Sequence, residues 1–361
     1  MMMIHPENPL QAFDSLLSRA DESGSVFFAY RLPNLQEIVV ATGCIIKHSD
    51  LSAGDDAFII APFSPEKGYD IIRPQVCIST PVSKANQLPK LKTDDSITPT
   101  KEYTDSIEQL INGLKSRGGK TVFSRIIDAS TNSELSIAHL FHSLCSRYPQ
   151  SYVYCWKKPN ENLWIGAVPE LLLESRGSKL NTMSLAGTQP IDSTTRWDLK
   201  NLEEQRIVTE YLKKLFSSRG MNPSTEGPND KPAGPVKHLC TSVSAFKPSQ
   251  QFDILSFARI LAPTPAVCGM PVNDALADIM RLEQHDRKYY GGYSGPIKGD
   301  NACNLFVTLR CMEINGNVSN SSETSTHVRL YVGGGITAQS QANTEWTETR
   351  LKASTLTDLF S

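Results

Sequence analysis

The sequence predicts an α+β fold in one large domain, and three observations carry that prediction. Short runs rich in β-branched and aromatic residues recur from end to end; segments with apolar residues at helical spacing lie between them; no linker divides the two kinds of element. In order along the chain, "SVFFAY" and "DAFIIA" are short apolar runs broken by Pro, Gly and Asp, so the first 95 residues read as scaffold strands. A turn-rich stretch from Lys84 to Thr100 leads into "KEYTDSIEQLINGLKSRG", where Tyr103, Ile107, Leu110, Ile111 and Leu114 mark one helix face and Gly118 closes it. The strand "KTVFSRIID" follows, and "SYVYCW", "LWIGAV", "LFVTLRCMEI" and "VRLYVG" are further strands. Helical patterns cover 133–147, 198–217, 272–286 and 345–360. Residues 217–234 are dense in Pro, Gly, Asn and Ser with no apolar face, which predicts a mobile surface loop. No internal repeat is present.

Composition narrows the classes of partner. With 36 basic and 38 acidic residues and no long block of either sign, nothing draws this surface to nucleic acid or to an anionic membrane, so a small molecule is the expected partner. No stretch approaches the length of an apolar membrane span, and the first 13 residues lack the pattern of a secretory leader. A cytoplasmic monomer is expected. The eight cysteines form no C-x-x-C pair and should be reduced and mostly buried. The sequons at Asn317 and Asn320 carry no weight without a secretory route.

Acids interrupt two apolar helix faces. In "DLKNLEEQRIVTEYLKKLF" the stripe is Ile207, Val208, Tyr211, Leu212 and Leu215, and Glu204 continues it one turn earlier. Leu351, Leu356 and Leu359 form the last stripe, which Glu348 and Glu345 extend. Two such helices brought together would offer carboxylate oxygens to a hard cation, since Mg²⁺ takes one or two carboxylates with water and an anionic substrate. The same pattern fits solvated acids near a helix N-terminus, which the dipole favours. Gly333, Gly334 and Gly335 follow "VRLYV" and allow close backbone approach to an anion, although Gly-rich turns after strands are commonplace. They match neither the phosphate loop nor the dinucleotide fingerprint.

Taken in order, "KTVFSR", "VPELLL", "SLAGT", "DLKNLEEQRIV", "KHLCT", "APTPAVCG", "FVTLR", "LYVGGGI" and "EWTETRLK" resemble the chorismate-utilising enzymes, the family of isochorismate, salicylate, anthranilate and aminodeoxychorismate synthases. The resemblance covers roughly residues 100–361, the motif-bearing part of a single domain spanning 1–361. It implies packed central β-sheets with helices outside and a Mg²⁺ site that holds the ring carboxylate of chorismate. On this resemblance Glu204 and Glu348 bind the metal directly, Glu345 supports it through water, and Lys352 pairs with a substrate carboxylate. Arg310 matches the arginine that grips the pyruvyl carboxylate, and His238 a pocket histidine, a residue that packing alone would explain equally well. Ala186, Gly187 and Thr188, with Thr264 to Ala266, are expected to shape the pocket wall, and Gly333 to Gly335 to bring backbone to the substrate.

Within the family, the nucleophile separates the branches. Lys120 stands where the water-using members carry a lysine, which would act as the base that deprotonates water; in isolation it would read as a lysine opening a strand. Ala186 stands where aminodeoxychorismate synthases carry a lysine that attacks the ring. Glu170 matches the general acid that assists departure of the ring hydroxyl, a role that requires a raised pKa. Gln205, Asn201, Gly334 and Gln189 depart from the usual His, acid, Ala and Arg. The resemblance therefore implies a Mg²⁺-dependent isochorismate synthase, an isomerase. Its alternatives are a salicylate synthase that goes on to eliminate pyruvate, or a chorismate-binding subunit served by an amidotransferase partner.

Overall fold

The structure is a computed structural model that describes residues 8–360 apart from 53, 234–235, 250, 300–301 and 316–324. Asn317 and Asn320 lie outside the described residues. The first part runs α1 (Pro9–Ser23), β1 (Val26–Arg31), β2 (Glu37–Ile46), β3 (Ala57–Ala61), β4 (Asp70–Pro81), β5 (Leu91–Thr93), α2 (Lys101–Arg117), β6 (Lys120–Thr131) and α3 (Ile137–Arg147). The middle adds β7 (Tyr152–Lys157), β8 (Leu163–Val168), β9 (Leu171–Arg176), β10 (Lys179–Pro190), α4 (Leu199–Ser217), β11 (Ser224–Ala233) and β12 (Val236–Phe246). The remainder is α5 (Ile254–Leu261), β13 (Gly269–Met270), α6 (Val272–Leu282), β14 (Tyr293–Lys298), β15 (Ala302–Val307), β16 (Cys311–Ile314), β17 (His327–Ile336) and α7 (Ala342–Thr357).

The strands form one antiparallel ladder. Following its pairs gives β11-β12-β10-β9-β15-β14-β3-β4-β2-β1-β7-β8-β16-β17-β6, with β5 and β13 both on β6. It curls over an aromatic interior of Phe28, Phe58, Tyr152, Tyr154, Trp156, Trp164 and Tyr331. Helices cover the outside. On β7, Val153 and Cys155 face α1 and α3 while Tyr152, Tyr154 and Trp156 face inward. Both faces of such a strand are buried, which is why the sequence shows apolar runs rather than alternation. The α+β expectation with central sheets and outer helices holds.

Several local expectations need correction. The predicted loop at 217–234 holds strand β11, an edge strand paired along β12 from Ser224↔Ser244 to Lys231↔His238 and beyond. Prolines at 228 and 232 hid it, because an edge strand tolerates a residue that cannot donate to a ladder. Helix α1 stands in the portion read as strands alone, started by Asn8, whose side chain accepts from Gln11 N–H, and buried through Phe13, Leu16 and Ala20. Helix α5 follows the Asp253 cap and was not foreseen. The run "LFVTLRCMEI" is two strands, because Arg310 has left-handed backbone (φ 48°) and breaks β15 from β16. Helix α6 stops at Leu282 instead of 286. On α4 the deep face is Gln205, Val208, Leu212 and Phe216, with Ile207, Tyr211 and Leu215 half-buried. On α7, Leu356 is buried and Leu351 half-buried, while Leu359, also half-buried, lies in the 3-10 turn Asp358–Phe360 that follows the helix. All eight cysteines are free, six of them buried, with Cys44 exposed and Cys240 between.

Candidate functional site

The curl of the ladder brings its two ends to one cavity. From one end come Lys120, the first residue of β6, and the glycines of β17; from the other come Ala186, Gly187 and Thr188 of β10 and His238 of β12. The glycines are rungs of the ladder, not a turn after it: Gly333, Gly334 and Gly335 pair with Ser124, Phe123 and Val122. Their bareness makes room for acids. A Cβ at Gly334 would stand 3.4 Å from Glu345 Oε2 and 3.7 Å from Glu348 Oε1, and one at Gly335 would stand 3.4 Å from Glu204 Oε1. At Gly333 it would meet the Tyr290 hydroxyl at 2.8 Å. Three carboxylates from α4 and α7 thus converge over two bare residues.

Two lysines balance them. Lys120, 6% exposed, donates to Glu204 Oε1 at 2.7 Å, an ion pair that ties one end of the ladder to the helix covering the other. Lys352 pairs with Glu348 Oε1 at 2.7 Å and donates to the Gly333 carbonyl at 3.0 Å. Among the described residues no three His, Cys, Asp or Glu side chains are grouped so as to hold a metal ion. Carboxylates approaching one edge of an otherwise open cavity suit a cation that keeps water and takes a substrate oxygen, which is how Mg²⁺ binds. Behind Glu204, Gln205 donates from Nε2 to Ser184 Oγ (2.8 Å) and Thr241 Oγ1 (3.0 Å), fastening α4 to β10 and β12. This residue therefore positions Glu204 and does not line the cavity.

Across the cavity, Arg310 Nη2 lies 2.9 Å from His238 Nε2, and His238 Nδ1 lies 2.7 Å from the Gly187 carbonyl. A carbonyl only accepts, so Nδ1 carries the proton and Nε2 accepts from the guanidinium. Burial and the Arg310 charge push His238 down to about 3, so it stays neutral and holds Arg310 without competing for an anion. Burial pulls Arg310 down to about 10, which leaves it cationic. Its backbone is left-handed, an uncommon conformation for a residue other than glycine, and its side chain lines the cavity. Glu170, 5% exposed after Pro169, is raised to about 7, chiefly by burial, with Lys120, Arg310, Lys352 and Lys231 opposing. At neutral pH much of it holds a proton.

Lys120, Glu170, Thr188, Glu204, His238, Ala266, Arg310, Gly333, Gly334, Gly335, Glu345, Glu348 and Lys352 all line this one cavity of ≈ 250 Å³, as do Ala186 and Gly187. The volume suits a small polar ring rather than a dinucleotide. Thr264 does not line it; its carbonyl accepts from Val267 and Cys268 N–H and holds the turn that presents Ala266. Sequence reasoning missed Tyr290 and Tyr331, which line the cavity with their rings stacked 5.9 Å apart. The signal for Tyr290 was an aromatic pair before two glycines, "YYGG", outside any periodic segment. Asn201 also lines the cavity, its side chain held by the Asp198 cap at 2.8 Å.

With this geometry in hand, comparison with known proteins is specific. Residues 72–361 match the family described as chorismate binding enzyme. The vibriobactin-specific isochorismate synthase of Vibrio cholerae is 28% identical over 83% of this chain and 78% of its own length. Isochorismate synthase EntC of Escherichia coli is 31% identical over 67% of this chain, and the match spans 62% of EntC. The structure of MenF, the menaquinone-specific isochorismate synthase of Escherichia coli, superposes with a TM-score of 0.77 at 22% identity, covering 98% of this chain and 93% of that one. A cavity built by both ends of one ladder and a match across most of the sequence lead to one conclusion: this chain belongs to the chorismate-binding enzyme family.

Proposed function

We propose that this chain is an isochorismate synthase that uses Mg²⁺ and water to convert chorismate to isochorismate. The observation that carries the reading is a buried lysine and a buried carboxyl group lining one cavity, Lys120 and Glu170, the latter with its pKa raised by burial, together with an arginine-histidine grip and converging carboxylates. The names of its relatives support the same activity. In this reading Arg310, held by His238, takes the pyruvyl carboxylate, and Lys352 takes the other carboxylate. Mg²⁺, which Glu204 and Glu348 would hold with support from Glu345, supplies positive charge to the ring carboxylate. Lys120, freed of its ion pair with Glu204 and having lost its proton to solvent, accepts a proton from water as the water oxygen bonds to ring carbon 2. The double bonds shift, the bond from carbon 4 to its hydroxyl breaks, and Glu170 gives that hydroxyl its proton so that it leaves as water. One water enters and one departs, an isomerisation overall.

Ala186 lines the cavity with a methyl group, so no amine is placed there to form an adduct with the ring. The whole chain acts as one domain and as a cytoplasmic monomer, its first 95 residues serving as scaffold, with chorismate as its organic partner. No helix among the described residues is long and apolar enough to cross a membrane.

The test is the reaction of purified protein with chorismate and Mg²⁺ alone in ¹⁸O-labelled water. Isochorismate with label at carbon 2 is expected, in a reversible reaction that stops at a mixture. Stoichiometric pyruvate from the first time points would make the protein a salicylate synthase, and product only on adding ammonium would remove Lys120 as water's base.

A second expectation concerns pH. Glu170 works protonated, so kcat/KM should fall as pH rises through about 7. In Glu170→Gln turnover should drop and this descending limb disappear. Because the folded-state pKa is raised, the same proton stabilises the fold below the ordinary carboxyl range, a contribution on the order of 3 kcal/mol that is lost as pH rises through about 7. A pH–rate profile whose descending limb survives in Glu170→Gln would assign it to another group.

A further inference from the structure

Helix α7 must hold Glu345, Glu348 and Lys352 over the β17 glycines, yet its own sequence gives it little to hold with. Its buried side chains mix Glu345, Thr349 and Thr355 with Trp346, Ala353 and Leu356, and Gln341 at its N-cap makes no side-chain capping bond. The grip comes from a neighbouring face. The Arg125 guanidinium of β6 lies 3.6 Å over the Trp346 ring, and its Nε donates to Thr349 Oγ1 at 2.9 Å. Tyr103 of α2 meets Trp346 edge-on at 4.9 Å, and the indole N–H donates to the Ser96 carbonyl at 3.0 Å. Trp346, Thr349 and Arg350 recur at one-turn spacing, beside the face that carries the acids.

Asp95 closes this arrangement. One oxygen lies 2.9 Å from Arg125 Nη2 and the other 3.1 Å from Arg350 Nε, so a single carboxylate sits between an arginine of β6 and an arginine of α7. The Asp95 and Arg125 side chains are 12% and 9% exposed. Asp95 is itself placed by β5, which pairs Thr93 with Ala129, and by Asp94 N–H on the Asp128 carbonyl at 3.0 Å. Arg125 follows Ser124, the rung opposite Gly333. The clamp therefore fixes α7 against the same stretch of ladder on which the carboxylates converge. Without the Asp95 charge, two cations would face each other, since Arg350 already acts on Arg125 through its charge.

We propose that Asp95 is a positioning residue for the metal-binding carboxylates: it joins Arg125 to Arg350 and so sets the reach of Glu345 and Glu348 from α7. The inference rests on the Mg²⁺-dependent reading above. The test is Mg²⁺ titration calorimetry on the full chain, as wild type, Asp95→Asn and Arg350→Gln, with amide hydrogen exchange across α7 on the same proteins. Asp95→Asn keeps the shape and removes the charge. Its Mg²⁺ affinity is expected to fall about 10-fold, the scale for partners that orient metal ligands, with a smaller fall in Arg350→Gln. Amides of α7 should exchange faster in both, and saturating Mg²⁺ should restore kcat, a rescue that general destabilisation would not show. Wild-type affinity in both variants overturns the proposal, as does unchanged exchange in α7. If Asp95→Asn fails to fold, Arg350→Gln decides, its side chain being 37% exposed. A wild-type chain that binds no Mg²⁺ overturns the functional reading and this inference together, whereas normal wild-type binding with equal binding by the variants overturns this inference alone.

Discussion

Lys120→Ala should leave the protein folded and able to bind chorismate while cutting kcat by roughly 10²- to 10⁴-fold, the scale of a lost general base. The fold survives because Lys120 joins the ladder through its backbone, opposite Met270 of β13, and the side chain contributes to the cavity rather than to a core cluster. Chorismate still meets Arg310, His238 and Lys352, with Arg310 held by His238 and Lys352 by the Gly333 carbonyl. What disappears is the amine 2.7 Å from Glu204, the proposed acceptor for water's proton. Steady-state kinetics at saturating chorismate, with a thermal melt to show that the fold persists, makes the measurement. A kcat near that of the wild type would remove Lys120 from the mechanism.

Glu348→Ala and Glu204→Ala should each abolish Mg²⁺ binding measurable by calorimetry with chorismate present, and turnover with it. On the proposed function each removes a direct ligand from a site that offers few protein oxygens. Each also frees a cation, Lys352 in the first and Lys120 in the second, so the local charge turns against a metal as well. Glu345→Ala should be milder, about 10- to 100-fold, as for a group that supports ligands without being one. Metal affinity unchanged in Glu348→Ala would withdraw the assignment of these acids, and a Glu345 variant as impaired as the other two would reverse their ranking.

The motifs made the site more legible than the fold. Each proposed site residue lies on the cavity because motif order preserves a constellation that periodicity cannot express: nothing local says that Lys120 and Glu204 will meet. Helices with capping residues and regular apolar faces, such as α2, were readable because their signal is contained within one segment. Strand β11 was not, since its order comes from β12 and not from its own side chains. The break at Arg310 was hidden inside an apolar run, because the sequence does not reveal which residue will take the left-handed conformation. Glu204 was read as part of the buried stripe, whereas Gln205 occupies the deep face; a shift of one residue on a helix turns a side chain by about 100°. Tyr290 and Asp95 escaped notice because their neighbours come from distant parts of the chain.

The ladder also sets a schedule for synthesis. Ser124 of β6 finds its rung only in Gly333, roughly 200 residues later, and long-range pairings of this kind are slow to form. During translation β6 emerges with Lys120, buried along most of its length in the folded protein, and waits for the strand that pairs with it. The middle of the ladder, β3-β4-β2-β1, closes from nearby sequence and can wait as a folded platform. Chemistry therefore arrives late: until β17 emerges, one edge of β6 is open to pairing with another nascent chain, and α7 follows β17 with Glu345, Glu348 and Lys352.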